Sequence, residues 1–292
     1  VRQNFPQYTV WHAPLQTRPV GVHQNQISEI RRPEEAFQKL QRAKPKDSLL
    51  QALQTVSSMI LSRTGLSETD FGVFGSLLHG FYHPQYSDID LIIYGKAKLD
   101  KLRETLKTLY HKSSSHFVNE FETEEAMKEK AARWKFVNYS AKEYGWHQRR
   151  KAIYALFHDQ KSGRVIKAEF EPVKEWSEIH NEYDSQTRIL KQGWIKAIAH
   201  VTDDSQAPFM PSIYKVEVKK ILEGKRTENI KRILSYVEEF RMQAEQDEEI
   251  YVEGNLEQVT TPTETFHQIT LTYAPRYYEQ VLKVAKPSPQ EP

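Results

Sequence analysis

The chain has 292 residues, room for two cores rather than one, because single cores stop growing near about 250–300 residues. Hydrophobic residues make up 38% and charged residues 27%, with 5 Trp, 15 Tyr and 13 Phe, which excludes disorder throughout. The absence of Cys excludes disulfides, zinc ribbons, iron–sulfur sites and thiol nucleophiles, and a net charge of +2 identifies no polyanion binder by itself.

Residues 1–46 hold five prolines and no long period, so they are expected to form an arm packed on the first domain. Over 47–63, Leu49, Leu50, Leu53, Val56, Ile60 and Leu61 keep helical spacing, with Asp47 or Ser48 as the cap and Gly65 as the stop. Residues 71–76 read as a short strand, 77–82 as a helical turn and 87–94 as a buried strand. Leu99, Leu102, Leu106 and Leu109 mark a helix, and a charge-rich one is expected over 122–136. Residues 151–158 and 164–171 form a hairpin, and the first domain is expected to close near Tyr183. Five strands follow at 193–202, 213–222, 229–242, 249–259 and 265–273, the pattern of a small antiparallel barrel. A short closing helix is expected at 277–284 and a disordered tail at 286–292. No apolar run approaches the ~18 residues of a membrane span and no signal peptide is evident, so a cytoplasmic protein with no membrane partner is expected. The chain opens on Val1 rather than Met, which leaves open whether further sequence precedes it.

Without Cys, any metal must be held by Asp, Glu or His, which makes hard cations the default. Asp88 and Asp90, two apart on a strand, face the same way with Cα atoms about 6.6 Å apart, the width of one divalent ion. Burying two anions without a counter-charge would cost several kcal/mol, whereas bound Mg²⁺ compensates the charge and supplies a Lewis acid. Upstream, Gly75 and Ser76 follow a strand and precede a helical turn, where backbone N–H groups and a hydroxyl can meet a phosphate.

The string Gly75, Ser76, Leu77, Leu78, His79, Gly80, followed by Ser87, Asp88, Ile89, Asp90 and an apolar run, resembles the hallmark of the DNA polymerase beta-like nucleotidyltransferase superfamily. The longer phrase from Gly75 to Gly95 looks most like uncharacterised archaeal nucleotidyltransferases. The resemblance implies a mixed sheet backed by helices, two Mg²⁺ or Mn²⁺ ions, and three carboxylates, the third from a neighbouring strand. In related branches that third carboxylate lies three residues before a Pro, which matches Glu169 ahead of Pro172, with Glu in place of the usual Asp. Glu171 is the fallback. The alternation of Ile166, Ala168 and Phe170 turns Lys167, Glu169 and Glu171 to the opposite face.

The expected fold class is α+β. A mixed-sheet nucleotidyltransferase domain with helices spans 47–185, and a small antiparallel β-barrel, OB-like, spans 186–285. Asp88, Asp90 and Glu169 are the expected catalytic residues and metal ligands. Gly75, Ser76, Gly80, Ser87, Arg149 and Arg150 are the expected nucleotide-binding residues. The last two belong to a stretch, 133–151, that interleaves cations with aromatics, and Trp194, Tyr214 and Tyr236 are candidate stacking platforms in the barrel. The expected activity is Mg²⁺-dependent transfer of NMP from an NTP to an acceptor hydroxyl, with RNA as the expected acceptor, tRNA-like RNA or DNA as candidate partners and the oligomeric state open. The rival expectations are a catalytically degenerate nucleotide- or nucleic-acid-binding protein and a protein-adenylylating minimal nucleotidyltransferase.

Overall fold

Pro33 suits the first turn of a helix, where its missing N–H has no intrahelical partner to lose, and it opens α1 (Pro33–Arg42). The buried ring of Phe37 packs there on Phe71, with centroids 5.9 Å apart. In the computed structural model the chain divides into two units, Arg31–Glu178 and a second that joins Val1–Ile30 to Ile179–Pro292. Residues 1–14, 17–180, 184–272 and 276–285 are described. The stretch expected as one arm is thus divided. Up to Ile30 it groups with the second unit, with isolated bridges pairing Thr9 with Val20 and His12 with Thr17, and beyond that it forms α1 of the first. The expected boundary at Tyr183 and the tail 286–292 lie outside the described residues.

In the first unit, Asp47 Oδ1 accepts from Leu50 N at 3.0 Å and caps α2 (Ser48–Thr64), which Gly65 ends in the left-handed conformation. Leu49, Leu50, Leu53, Val56 and Ile60 form its buried face, at the spacing the sequence shows. The chain continues through β1 (Phe71–Val73), α3 (Gly75–His79), β2 (Ile89–Tyr94) and α4 (Lys96–Tyr110), whose four periodic leucines are all buried. Then come β3 (Phe117–Asn119), α5 (Glu124–Arg133), α6 (Ala141–Lys151), β4 (Tyr154–Asp159) and β5 (Arg164–Val173). The sheet runs β1-β2-β5-β4-β3, with β2 and β5 parallel and the other neighbours antiparallel. Part of the basic aromatic stretch is α6, begun by a reciprocal box in which Ser140 N donates to Glu143 Oε2 at 2.8 Å and Glu143 N to Ser140 Oγ at 3.2 Å.

His147 on α6 is 1% exposed, and its Nδ1–H donates to the Glu143 carbonyl at 2.7 Å. Burial, aided by the charges of Arg150 and Lys151, pushes its pKa down from 6.5 to about 4. Between those values the unfolded chain binds a proton that the folded chain refuses, so stability is lost as pH falls, by on the order of 3 kcal/mol. Urea unfolding at pH 7 and pH 4 should show this loss shrinking by that amount in His147→Gln. An unchanged pH dependence in the variant would refute it.

The second unit contains β6 (Arg188–Gln206), β7 (Ser212–Glu223), β8 (Ile230–Ser235), β9 (Glu249–Thr260), β10 (Thr265–Leu271) and β11 (Val281–Val284). Along β6, Ile195, Ala197, Ala199 and Val201 are buried at a period of two. Hydrogen-bonded neighbours run β6, β7, β8, β10, β9 and back to β6, with only β8 and β10 parallel among these pairs.

The strand expected at 71–76 ends at Val73, the one expected at 151–158 begins at Tyr154 because α6 runs to Lys151, the parallel β8–β10 pair departs from the expected antiparallel arrangement, and two further elements differ in kind. The expected closing helix at 277–284 is a single turn at Tyr277–Glu279 followed by β11, which pairs with β9, because backbone pairing outweighs a helical preference over so short a stretch. The expected strand at 229–242 leaves the sheet after Ser235. Its second half is tied to Tyr214, whose hydroxyl donates to the Phe240 carbonyl at 2.6 Å and accepts from Gln243 N at 2.9 Å. Tyr214 is accordingly a fully buried core residue and presents no stacking face. Trp194 donates to Glu253 at 2.9 Å and lies beneath the Arg276 guanidinium at 3.8 Å.

Candidate metal centre

β1 delivers the chain to the start of β2: Phe74 N donates to the Asp90 carbonyl at 3.1 Å. Gly75 then turns at φ +59°, and a Cβ on it would stand 2.5 Å from Asp90 Oδ2. Only glycine meets both conditions, a left-handed backbone and a carboxylate where a side chain would begin. Across the sheet, Asp90 is the register partner of Glu169 on the parallel strand β5, so the two side chains share a face. Glu171 is paired instead with Ile92, two residues further along.

Asp88 sits one residue ahead of β2 rather than within it. The turn that carries it is held from β5. Arg164 donates to the carbonyls of Pro84 and, at 3.3 Å, Ser87, while Ser87 Oγ accepts from His83 N at 2.9 Å.

Burial, with like-charge crowding behind it, sets the electrostatics. Burial first, then the neighbouring Glu169 and Asp88, push the Asp90 carboxyl up to about 6. Asp88 is also raised, since partial burial of its carboxyl and the charges of Glu120 and Glu169 outweigh Lys167 and Arg164. Lys167 is the partial remedy, with Nζ 3.1 Å from Glu169 Oε2 and 3.7 Å from Glu120 Oε2. Burial opposes its charge, yet Glu169, Glu120 and Asp88 raise its pKa. Glu120, 6% exposed at its side chain, also pairs with Lys130. Asp88 and Asp90, whose carboxyls are raised, and Glu169 opposite Asp90 are oxygen donors of the kind a hard divalent cation takes.

The remaining expected residues are dispersed. Ser76 is the second residue of α3, beside Gly75. Gly80, at φ +74° with nothing within 4 Å of an added Cβ, ends α3 by its backbone conformation and makes no close approach. Arg149 and Arg150 lie in the last turn of α6. The Arg149 carbonyl accepts from Asn119 Nδ2 at 3.0 Å, and the Arg150 guanidinium stacks 4.5 Å from the Trp146 ring. Sequence reading missed Lys167, Glu120 and Arg164 as members of the centre. The alternation along β5 already set Lys167 on the face of Glu169, and the need to neutralise clustered carboxylates was the available signal. Glu120 follows a three-residue strand that carries no periodicity to read.

Residues 57–171 match the family described as nucleotidyltransferase domain, the polymerase beta-like class that the motif resembles. The matched segment contains Gly75, Ser76, Asp88, Asp90 and Glu169. An uncharacterized protein of Methanocaldococcus jannaschii is 27% identical over 232 residues, covering 78% of this chain and 63% of its own length. The chain therefore spans less than two thirds of that relative. No solved structure matches it. Among the described residues, no helix is long and apolar enough to cross a membrane.

Proposed function

We propose that the unit Arg31–Glu178 transfers NMP from an NTP to an acceptor hydroxyl, using divalent metal held by Asp88, Asp90 and Glu169, and that the acceptor is RNA. The observation that carries the reading is the pairing of Asp90 with Glu169 across parallel strands, with Gly75 against the Asp90 carboxylate. Bound Mg²⁺ or Mn²⁺ would lower the pKa of the acceptor hydroxyl and offset charge on the triphosphate during in-line displacement of pyrophosphate. Gly75 admits the backbone close to the carboxylates, Ser76 offers a hydroxyl and an N–H to a terminal phosphate, and Lys167 neutralises carboxylate charge that the metals leave uncompensated.

The circuit of five strands in the second unit supports reading it as an OB-like barrel, a fold that commonly binds oligonucleotides, which favours a nucleic-acid acceptor. Radiolabelled NTP incubated with Mg²⁺ and separate RNA, DNA and protein fractions should label RNA. Mg²⁺ or Mn²⁺ with NTP should raise the melting temperature by mass action. Label appearing in protein alone would replace the RNA acceptor with a protein one, and no label with no thermal shift would remove the enzymatic reading.

A further inference from the structure

The loop between α3 and β2, the segment that leads into Asp88, presents two aromatic rings to water. Phe81 is 73% exposed and Tyr86 77%. Each is backed by an imidazole: His79 stacks on Phe81 at 5.7 Å with planes 4° apart, and His83 lies 4.6 Å from Tyr86 at 32°. One exposed aromatic needs no explanation, but two ring pairs within one short loop do.

The loop is also fixed. Arg31 donates to the His79 carbonyl at 3.0 Å, and the Tyr82 hydroxyl donates to Asp47 Oδ2 at 2.8 Å, tying the loop to the cap of α2. Tyr86 N and Ser87 N both donate to the His83 carbonyl, at 3.1 and 2.9 Å, and Arg164 grips the far end. The backbone that carries the two rings is therefore held in place, which lowers the ordering cost of a contact there.

We propose that the loop 79–87 is a stacking platform for the unpaired terminal bases of a single-stranded polynucleotide acceptor. The inference rests on the transfer reading of Asp88 and Asp90 and names the acceptor's chemistry. Tyr86 lies two residues before Asp88, so their Cα atoms are within about 7.6 Å, roughly the length of one nucleotide. A base attached to the reacting hydroxyl's sugar, or to its neighbour, falls within reach of that ring. Arg31, Lys46 and Arg164 attend the loop, Lys46 at 5.8 Å over the Tyr82 ring, alongside the carboxylates of Asp47 and Asp88, so the rings rather than net charge are the feature offered to a polynucleotide. Stacking on open ring faces is tolerant of base identity.

The test measures binding without NTP, by fluorescence anisotropy, of a 5′-labelled single-stranded RNA whose last two 3′ positions either carry bases or are abasic. The wild-type chain should favour the base-bearing oligonucleotide by about five-fold or more per stacked base. Phe81→Ala with Tyr86→Ala should abolish that preference and leave Mn²⁺ binding, followed by electron paramagnetic resonance, unchanged. Phe81→Trp with Tyr86→Trp should keep it. Equal affinity of the wild type for the two oligonucleotides overturns the platform, as does an alanine pair that binds like wild type or loses affinity for both oligonucleotides equally. Mn²⁺ binding in Asp88→Asn tests the metal reading separately, so failure of one is not mistaken for failure of the other.

Discussion

Asp90→Ala is expected to abolish nucleotidyl transfer, by about a thousand-fold or more, and at the same time to raise the melting temperature of the metal-free protein. The two effects have one cause. Asp90 is held at about 6 by burial and by Glu169 and Asp88, so at pH 7 its charge opposes folding. The sign follows from linkage. A carboxyl whose folded pKa exceeds its unfolded value binds more protons in the folded state, so the destabilisation is present above the raised pKa and fades as pH falls towards the ordinary carboxylate range. Removing the side chain relieves that crowding and deletes a ligand needed for charge stabilisation in the reaction. Scanning calorimetry with and without Mg²⁺, beside a single-turnover transfer assay, separates the two effects. The wild type should gain stability on adding Mg²⁺ and the variant should not. A variant that transfers at the wild-type rate would discard the assignment of Asp90, and one less stable than wild type without metal would discard the crowding argument.

Gly75→Ala should be nearly as damaging although it removes no functional group. The left-handed backbone at φ +59° costs a non-glycine residue about 1–2 kcal/mol, and the new Cβ would stand 2.5 Å from Asp90 Oδ2, which forces the carboxylate aside. Misplacing a reacting constellation by about 1 Å costs about a hundred-fold in rate, and that is the loss expected here, with weakened Mn²⁺ binding. Gly65→Ala is the control. Its backbone is equally left-handed, at φ +66°, but nothing lies within 4 Å of the added Cβ, so it should lose stability alone. If both variants retain transfer, the close approach of Gly75 to Asp90 has no bearing on the reaction.

The elements read most faithfully from the sequence are those whose own residues carry the signal. α2 and α4 each hold a long apolar stripe with clear ends, and β5 alternates Ile166, Ala168 and Phe170 inward against Lys167 and Glu169. That alternation also made legible which face of β5 carries Glu169, the register partner of Asp90. Elements fixed by partners elsewhere in the chain were not legible. β3 has three residues and exists through its ladder with β4, and β11 is a strand because β9 offers an edge to it. Pro33 counted as a loop signal although it starts α1, since proline at a helix's first position and proline in a loop look alike until Phe37 finds Phe71. Tyr214 looked like an accessible ring because nothing local reveals that Phe240 and Gln243 close over its hydroxyl. Within the candidate centre, the carboxylates were visible and the cation among them was not, because the Lys167 contact with Glu120 depends on how the chain returns through β3.

The pairing of β2 with β5 also determines where the gene can tolerate added codons. Between Tyr94 and Arg164 the chain makes three helices and two strands, yet the spacing of Asp90 and Glu169 is set by neither their lengths nor their loops. Extra residues in the turns there would leave the two carboxylates opposite one another. One extra residue between Arg164 and Glu169 would either slip Glu169 past Asp90 or turn its side chain to the apolar face. The site counts distance in rungs of a hydrogen-bonded ladder and is indifferent to how much chain is looped out between them.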